Sequence, residues 1–369
     1  MALTDKLSAI GVAIREKTGK TDLMTLDEMP AEIASIQTGG GDIEVEPIVL
    51  TDNQNYGCAG ALSSKYVELF GDKITTNNII NASNMFYAFK WNKNSFPFDV
   101  NMMPNNSVSM SSMFTNAKMQ SLPKINNACP TDIQNLFSNC VIQTIPDDFS
   151  DNWTWSNLQS SSSSRLSYVF NGCKHLRYIP EQFLRNLYCT GNSSSSVVYA
   201  NGFYTCYVLD EIRDLAVQPA TLTSNRMSNM ATQCYRLKTL IFATNEDGTP
   251  KTISWKSQTL DLSSYVGYSV YSDLTQYGIE SDKCVINDAT YQALKNDPDW
   301  YGINAEYSRY NHDSAVETIN SLPDSSAYGT NTIKFQGVAG KLTDGGAINT
   351  LTEAEIAVAA AKGWTVSLV

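Results

Sequence analysis

The residues best equipped for chemistry are eight cysteines, two histidines and a short run of aspartates. Cysteines that bind zinc or cycle a disulfide come in close pairs such as Cys-x-x-Cys, and this chain has none. Four of them instead occupy one slot. Cys140, Cys173, Cys206 and Cys234 stand three residues after Phe137, Phe170, Phe203 and Ala231. Phased single cysteines read as small buried core residues, not as a disulfide framework. Rungs of a parallel stack lie about 4.8 Å apart, so an occasional disulfide is not sterically excluded.

The histidines offer little more. His175 sits between Lys174 and Leu176 and is expected at the surface or rim. His312, Asp313 and Ser314 are consecutive, and adjacent side chains do not give the geometry of a hydrolase relay. No Gly-x-Ser-x-Gly elbow, His-Glu-x-x-His pair or phosphate-binding glycine loop is present. Asp147, Asp148 and Asp151 are hard oxygen donors of the kind calcium takes, but such a run more often forms a solvated loop. The chain is therefore expected to be non-enzymatic, with no catalytic residue, no metal and no cofactor.

The elements that position these residues repeat. The pattern is Phe, then Cys three later, Leu about three later, Ile or Leu about three later, and often Pro. Phe137, Cys140 and Ile145-Pro146 form one copy; Phe170, Cys173, Leu176 and Ile179-Pro180 another. Phe203, Cys206, Leu209 and Ile212 follow, then Ala231, Cys234, Leu237 and Leu240. Phe114, Ala117 and Leu122-Pro123 form an earlier copy, and Met85-Phe86 with Phe89 a degenerate first one. A short repeat of this kind predicts an α/β repeat solenoid, a stack of short parallel strands and helical turns. Phe and Cys three apart would share a face of one helical or 3₁₀ turn. Phe114, Phe137, Cys140, Phe170, Cys173, Phe203, Cys206 and Cys234 are its expected core. Copies start 23 (Phe114 to Phe137) to 33 (Phe137 to Phe170) residues apart, so the extra residues fall in loops, some Ser-rich.

The repeats occupy residues 48–245. Before them, residues 1–37 read as a helical hairpin for docking or oligomerisation. Leu3, Leu7, Ile10 and Ile14 make a heptad seam, and Met29, Ile33 and Ile36 continue it on a second helix. Residues 38–47 form a Gly-rich linker. Residues 246–323 are a transition, with a turn at Glu246-Asp247-Gly248, a strand near Leu260 and a short helix over 288–296. Residues 324–369 read as a strand–helix–strand cap, with Thr352 and Glu355 at capping-box spacing, Lys362 in the helix's last turn and Gly363 just beyond it. The 26 basic and 37 acidic residues leave a net charge of −11 with no Lys/Arg cluster, which disfavours nucleic acid and anionic membranes as partners. No apolar run approaches the roughly 20 residues that insert in a bilayer.

The Phe-x-x-Cys-x-x-Leu-x-x-Ile-Pro pattern over residues 48–245 resembles BspA-like leucine-rich repeats. Met85-Phe86 and Met113-Phe114 carry the Met-Phe variant found in bacterial surface proteins and phage structural proteins. The runs Leu7–Asp22 with Leu26–Ile33, and Leu351–Ile356 with Lys362–Val366, resemble parts of tailed-phage virion proteins. The resemblance implies a virion structural protein, a tail-fibre or baseplate component presenting the stack for host attachment. Its partners would be other virion proteins through residues 1–37, copies of itself in a homo-oligomer, and a host cell-surface receptor or glycan. The opening residues lack the pattern of a secretory signal, so assembly in the host cytoplasm and residence in the virion are expected. A bacterial surface adhesin and a purely structural head-fibre or decoration protein are the alternatives. The departures are Ala231 in the Phe slot and Arg213 and Ile241 in the Pro slot.

Overall fold

The computed structural model describes residues 3–18, 47–51, 62–160, 165–189, 199–206, 209–219, 239–263, 312–335 and 351–369, together with 221–222, 224–227, 229–234 and 237. Around each Phe the backbone is a chain of overlapping four-residue turns rather than the helical or 3₁₀ turn expected from Phe–Cys spacing. The reason lies in φ. Residues two before and two after the Phe are left-handed: Asn84 and Ala88, Ser112 and Asn116, Asn135 and Asn139, Tyr168 and Gly172, Asn201 and Thr205. A helix cannot pass through such residues, whereas a turn of the type II kind requires one. Asn tolerates this region best after Gly, which gives the Asn-rich composition a structural use.

These turns leave the N–H groups pointing alternately along the copy and across to the next. Within a copy, the N–H of the Cys slot closes a turn on the Phe carbonyl, as from Cys140 to Phe137 (2.8 Å) and Cys173 to Phe170 (3.0 Å). Across copies, each Phe N–H donates to the residue just before the next Phe: Phe114 to Leu136, Phe137 to Val169, Phe170 to Gly202 and Phe203 to Met230. The residues two beyond each Phe do the same one step later, Asn116 to Ser138, Asn139 to Asn171 and Gly172 to Tyr204. Short strands extend this ladder in parallel: Lys90–Trp91 with Lys118–Met119, Val100–Asn101 with Ile125–Asn126, and Glu211–Leu215 with Thr239–Phe242.

The registered backbone brings the Phe rings into one file. Phe86, Phe114, Phe137, Phe170 and Phe203 lie near-parallel, with centroids 5.2–5.8 Å apart and interplanar angles from 3° to 14°. The file ends at Ala231, which carries no ring. Phe149, Trp153, Trp155 and Phe183 flank it at tilted and edge-on angles. Such pairs add about 0.5–1.5 kcal/mol each beyond burial. Pro180 caps the start of the helix Glu181–Arg185, which buries Phe183 and Leu184.

One cluster of buried side chains runs from Ile48 to Trp364. At its far end Thr259–Asp261, Asn331–Phe335 and Trp364–Leu368 form a three-stranded parallel sheet. The helix Glu353–Ala361 starts with the capping box of Thr352 and Glu355. Gly363 (φ +78°) turns the chain into the last strand, where a Cβ would meet Ser325 Oγ at 2.9 Å. Lys362 does not serve its own helix. Its Nζ donates to the carbonyls of Ile319 (2.9 Å) and Asn320 (2.7 Å), closing the last turn of the helix His312–Ser321. The turn at Asp247-Gly248 forms, with Gly248 at φ +79°.

At the other end the helix Leu3–Thr18 carries Leu3, Leu7, Ile10 and Ile14. Ile10 packs half-buried against the core cluster, and Ile14 is only 2% exposed within the single chain. Met29, Ile33 and Ile36, the linker over 38–46 and the helix expected over 288–296 lie outside the described residues. Phe137 tests the file directly, because it is fully buried with a parallel ring on each side. Phe137→Ala is expected to cost about 3–5 kcal/mol in a denaturant titration; a loss below about 1 kcal/mol would mean the file is not a cooperative core.

Candidate functional site

The expected core cysteines are buried, each between 0% and 6% exposed. Three of them have a further partner. The thiols of Cys173, Cys206 and Cys234 donate to the carbonyls of Phe137, Phe170 and Phe203 in the preceding copy, at 2.8, 3.1 and 3.0 Å. Each of those carbonyls also accepts an N–H from the Cys slot of its own copy, so both of its lone pairs are used. Burial pushes Cys173 and Cys234 up to about 12 and raises Cys140 and Cys206 well above the usual thiol value. A buried neutral thiol is neither a nucleophile nor a metal ligand.

The histidines divide differently from the sequence expectation. His312 lies with Nδ1 3.0 Å from the Asp313 carboxylate and Nε2 3.2 Å from that of Glu355. Both contacts favour the imidazolium, Asp313 most, so its pKa is raised. Ser314, the third member of the run, is buried. Both ring nitrogens of His312 thus face carboxylates, which is a clasp between two helix starts and not a base aimed at a hydroxyl. Asp147 accepts a hydrogen bond from Tyr178 Oη (2.8 Å). Among the described residues no three His, Cys, Asp or Glu side chains are grouped to hold a metal ion, and no helix is long and apolar enough to cross a membrane.

What the turns do assemble is a groove. It has a volume of about 290 Å³ and crosses three copies on the edge where the left-handed residues lie. Asn116, Asn139 and Gly172, each two beyond its Phe, form one side. Lys118, Val141 and Lys174, each four beyond, form the other, and His175 adjoins Lys174. Burial, and then the charge of Lys174, lowers His175 to about 4, so at neutral pH it presents an uncharged imidazole. His175 is half-buried in the groove wall rather than free at a rim.

The lysines correct the expectation of no basic cluster. Lys90 pairs with Lys118 in parallel register, Lys118 bridges to Val141, and Lys174 fills the same slot one copy on. Along the sequence they are 28 and 56 residues apart, which hides them from any scan for consecutive charge. Counting each from its own Phe (86, 114 and 170) puts all three at the same offset. Lys90 and Lys118 lie directly opposite across the ladder, whereas Val141 separates Lys118 from Lys174.

Gly172 lines the groove. Its φ is +75°, and Asn139 Oδ1 lies 2.0 Å from where a Cβ would stand. The amide of Asn139 therefore folds across a bare backbone. No family model, no curated protein and no solved structure matches the chain.

Two outcomes are expected here. Gly172→Ala should lose about 1–3 kcal/mol of stability, part of it restored by adding Asn139→Ala, since the double variant relieves the contact but not the φ. Cys140, Cys173, Cys206 and Cys234 should resist an alkylating reagent at pH 8 in native buffer and react promptly in denaturant. Rapid native labelling, read by peptide mass spectrometry, would contradict their burial.

Proposed function

We propose that this chain is a non-enzymatic structural protein of a tailed-phage virion, a tail-fibre or baseplate-associated component. In this reading the repeats wind as a solenoid that displays a binding face to the host surface. One observation carries it: the slot cysteines Cys140, Cys173, Cys206 and Cys234 are consumed inside the ladder, while the outward slot four residues beyond each Phe carries Lys90, Lys118 and Lys174 together with Val141. The Phe and Cys slots are closed by stacking and by doubly used carbonyls. The Lys slot, four residues on, faces the groove. A rigid inner register with free choice at the outer positions suits recognition of a surface better than turnover of a substrate.

The phage assignment rests on the resemblance of the repeats and of the two terminal runs. Attachment to the particle is assigned to residues 1–37, with other virion proteins or copies of the same chain as partners. The reading is tested by two measurements on the full-length protein. Labelled protein should decorate cells of at least one bacterial strain, and an antibody against it should mark a discrete place on phage particles by electron microscopy. Cell binding with no particle labelling would favour the bacterial adhesin instead. Particle labelling without cell binding to any strain would favour a purely structural decoration protein.

A further inference from the structure

We propose that the lysine-lined groove binds an acidic glycan, a carboxylate-bearing oligosaccharide laid along the rungs. The inference rests on the surface-display reading and deepens it. Three observations point to this ligand class. The groove is open and crosses three copies, so it suits an extended chain and not an enclosed metabolite. Lys118 and Lys174 occupy the same slot two rungs apart, about 10 Å at the spacing of parallel strands. Between them Val141 offers an apolar patch against which the face of a sugar ring packs.

Neutral donors and acceptors surround the cations. The Asn116 and Asn139 amides lie on one side, with Tyr87 Oη accepting a hydrogen bond from Asn116 Nδ2 at 3.0 Å. The His175 ring, uncharged at neutral pH, lies beside Lys174. Hydroxyl groups need such amides and imidazoles, whereas a bare anion site would need only the lysines. The overall charge of −11 selects further. A nucleic acid presents a phosphate about every 1.7 Å of duplex and would be repelled by the rest of the surface. A carboxylated oligosaccharide carries fewer charges per unit length than a duplex, and its carboxylates fall beside Lys118 and Lys174.

The test is calorimetric titration of the full chain with oligogalacturonate, an uncharged gluco-oligosaccharide of the same length, a poly-glutamate peptide and inorganic phosphate. Oligogalacturonate should bind at least tenfold more tightly than the other three, and more weakly as salt is raised. Lys118→Ala with Lys174→Ala should weaken it at least tenfold at unchanged melting temperature. If the double variant does not fold, Lys118→Gln alone should still weaken binding severalfold. Equal binding of the neutral sugar, the peptide or phosphate would overturn the assignment, as would wild-type affinity in the lysine variants. The two readings separate cleanly. Protein that coats host cells yet ignores oligogalacturonate defeats the groove and leaves display standing; sugar binding without decoration of any cell does the reverse.

Discussion

The structure depends on one hydrogen-bonding constraint: the carbonyls of Phe137, Phe170 and Phe203 are each shared between two copies. Each closes the turn of its own copy by accepting the N–H three residues on, and also accepts the next copy's thiol. The Phe N–H meanwhile crosses in the opposite sense to the following copy. A backbone held from both sides has little freedom to slip. The ring that it carries must then lie over the ring before it, and the parallel planes of the file follow from the registered backbone. Cysteine suits the adjoining slot because it is small, apolar and a weak donor together. Alanine, as at Ala117, keeps the size but not the S–H.

The inner slots were legible in the sequence because apolar spacing reports directly on which side chains share a face. Phe114, Phe137, Phe170 and Phe203 and the four cysteines are buried for the reason their phasing suggests. The conformation between them was not legible. A Phe–Cys spacing of three fits a helical turn and a chain of β-turns equally well, and the choice is made by φ at residues whose side chains point elsewhere. Asn84, Asn116, Asn135, Asn139 and Asn201 were the available clue, since Asn is the residue that accepts positive φ most readily. Tyr168 and Thr205 gave none, because neither favours that region and the neighbouring copies impose it.

The groove was hidden for a different reason. Charge is usually sought as a run, and Lys90, Lys118 and Lys174 are far apart in the chain. Their alignment appears only after the register is known, because offset from the Phe, and not distance along the chain, decides which residues meet. His175 shows the same limit. Its neighbours Lys174 and Leu176 suggest a surface position, but the packing of adjacent copies closes over part of the ring. At the far end the capping box and Gly363 follow local rules and were readable, while Lys362 reaches carbonyls more than forty residues away, which no local rule anticipates.

The shared carbonyl has an evolutionary corollary. The copies around Phe170 and Phe203 each donate a thiol to the copy before and offer a Phe carbonyl to the copy after, so their two faces are complementary fittings. Removing or duplicating a whole copy by recombination brings like against like, and the new junction is already complementary. A lineage built this way can gain or lose copies in single steps, and exchange one set of outward residues for another, without inventing a new interior.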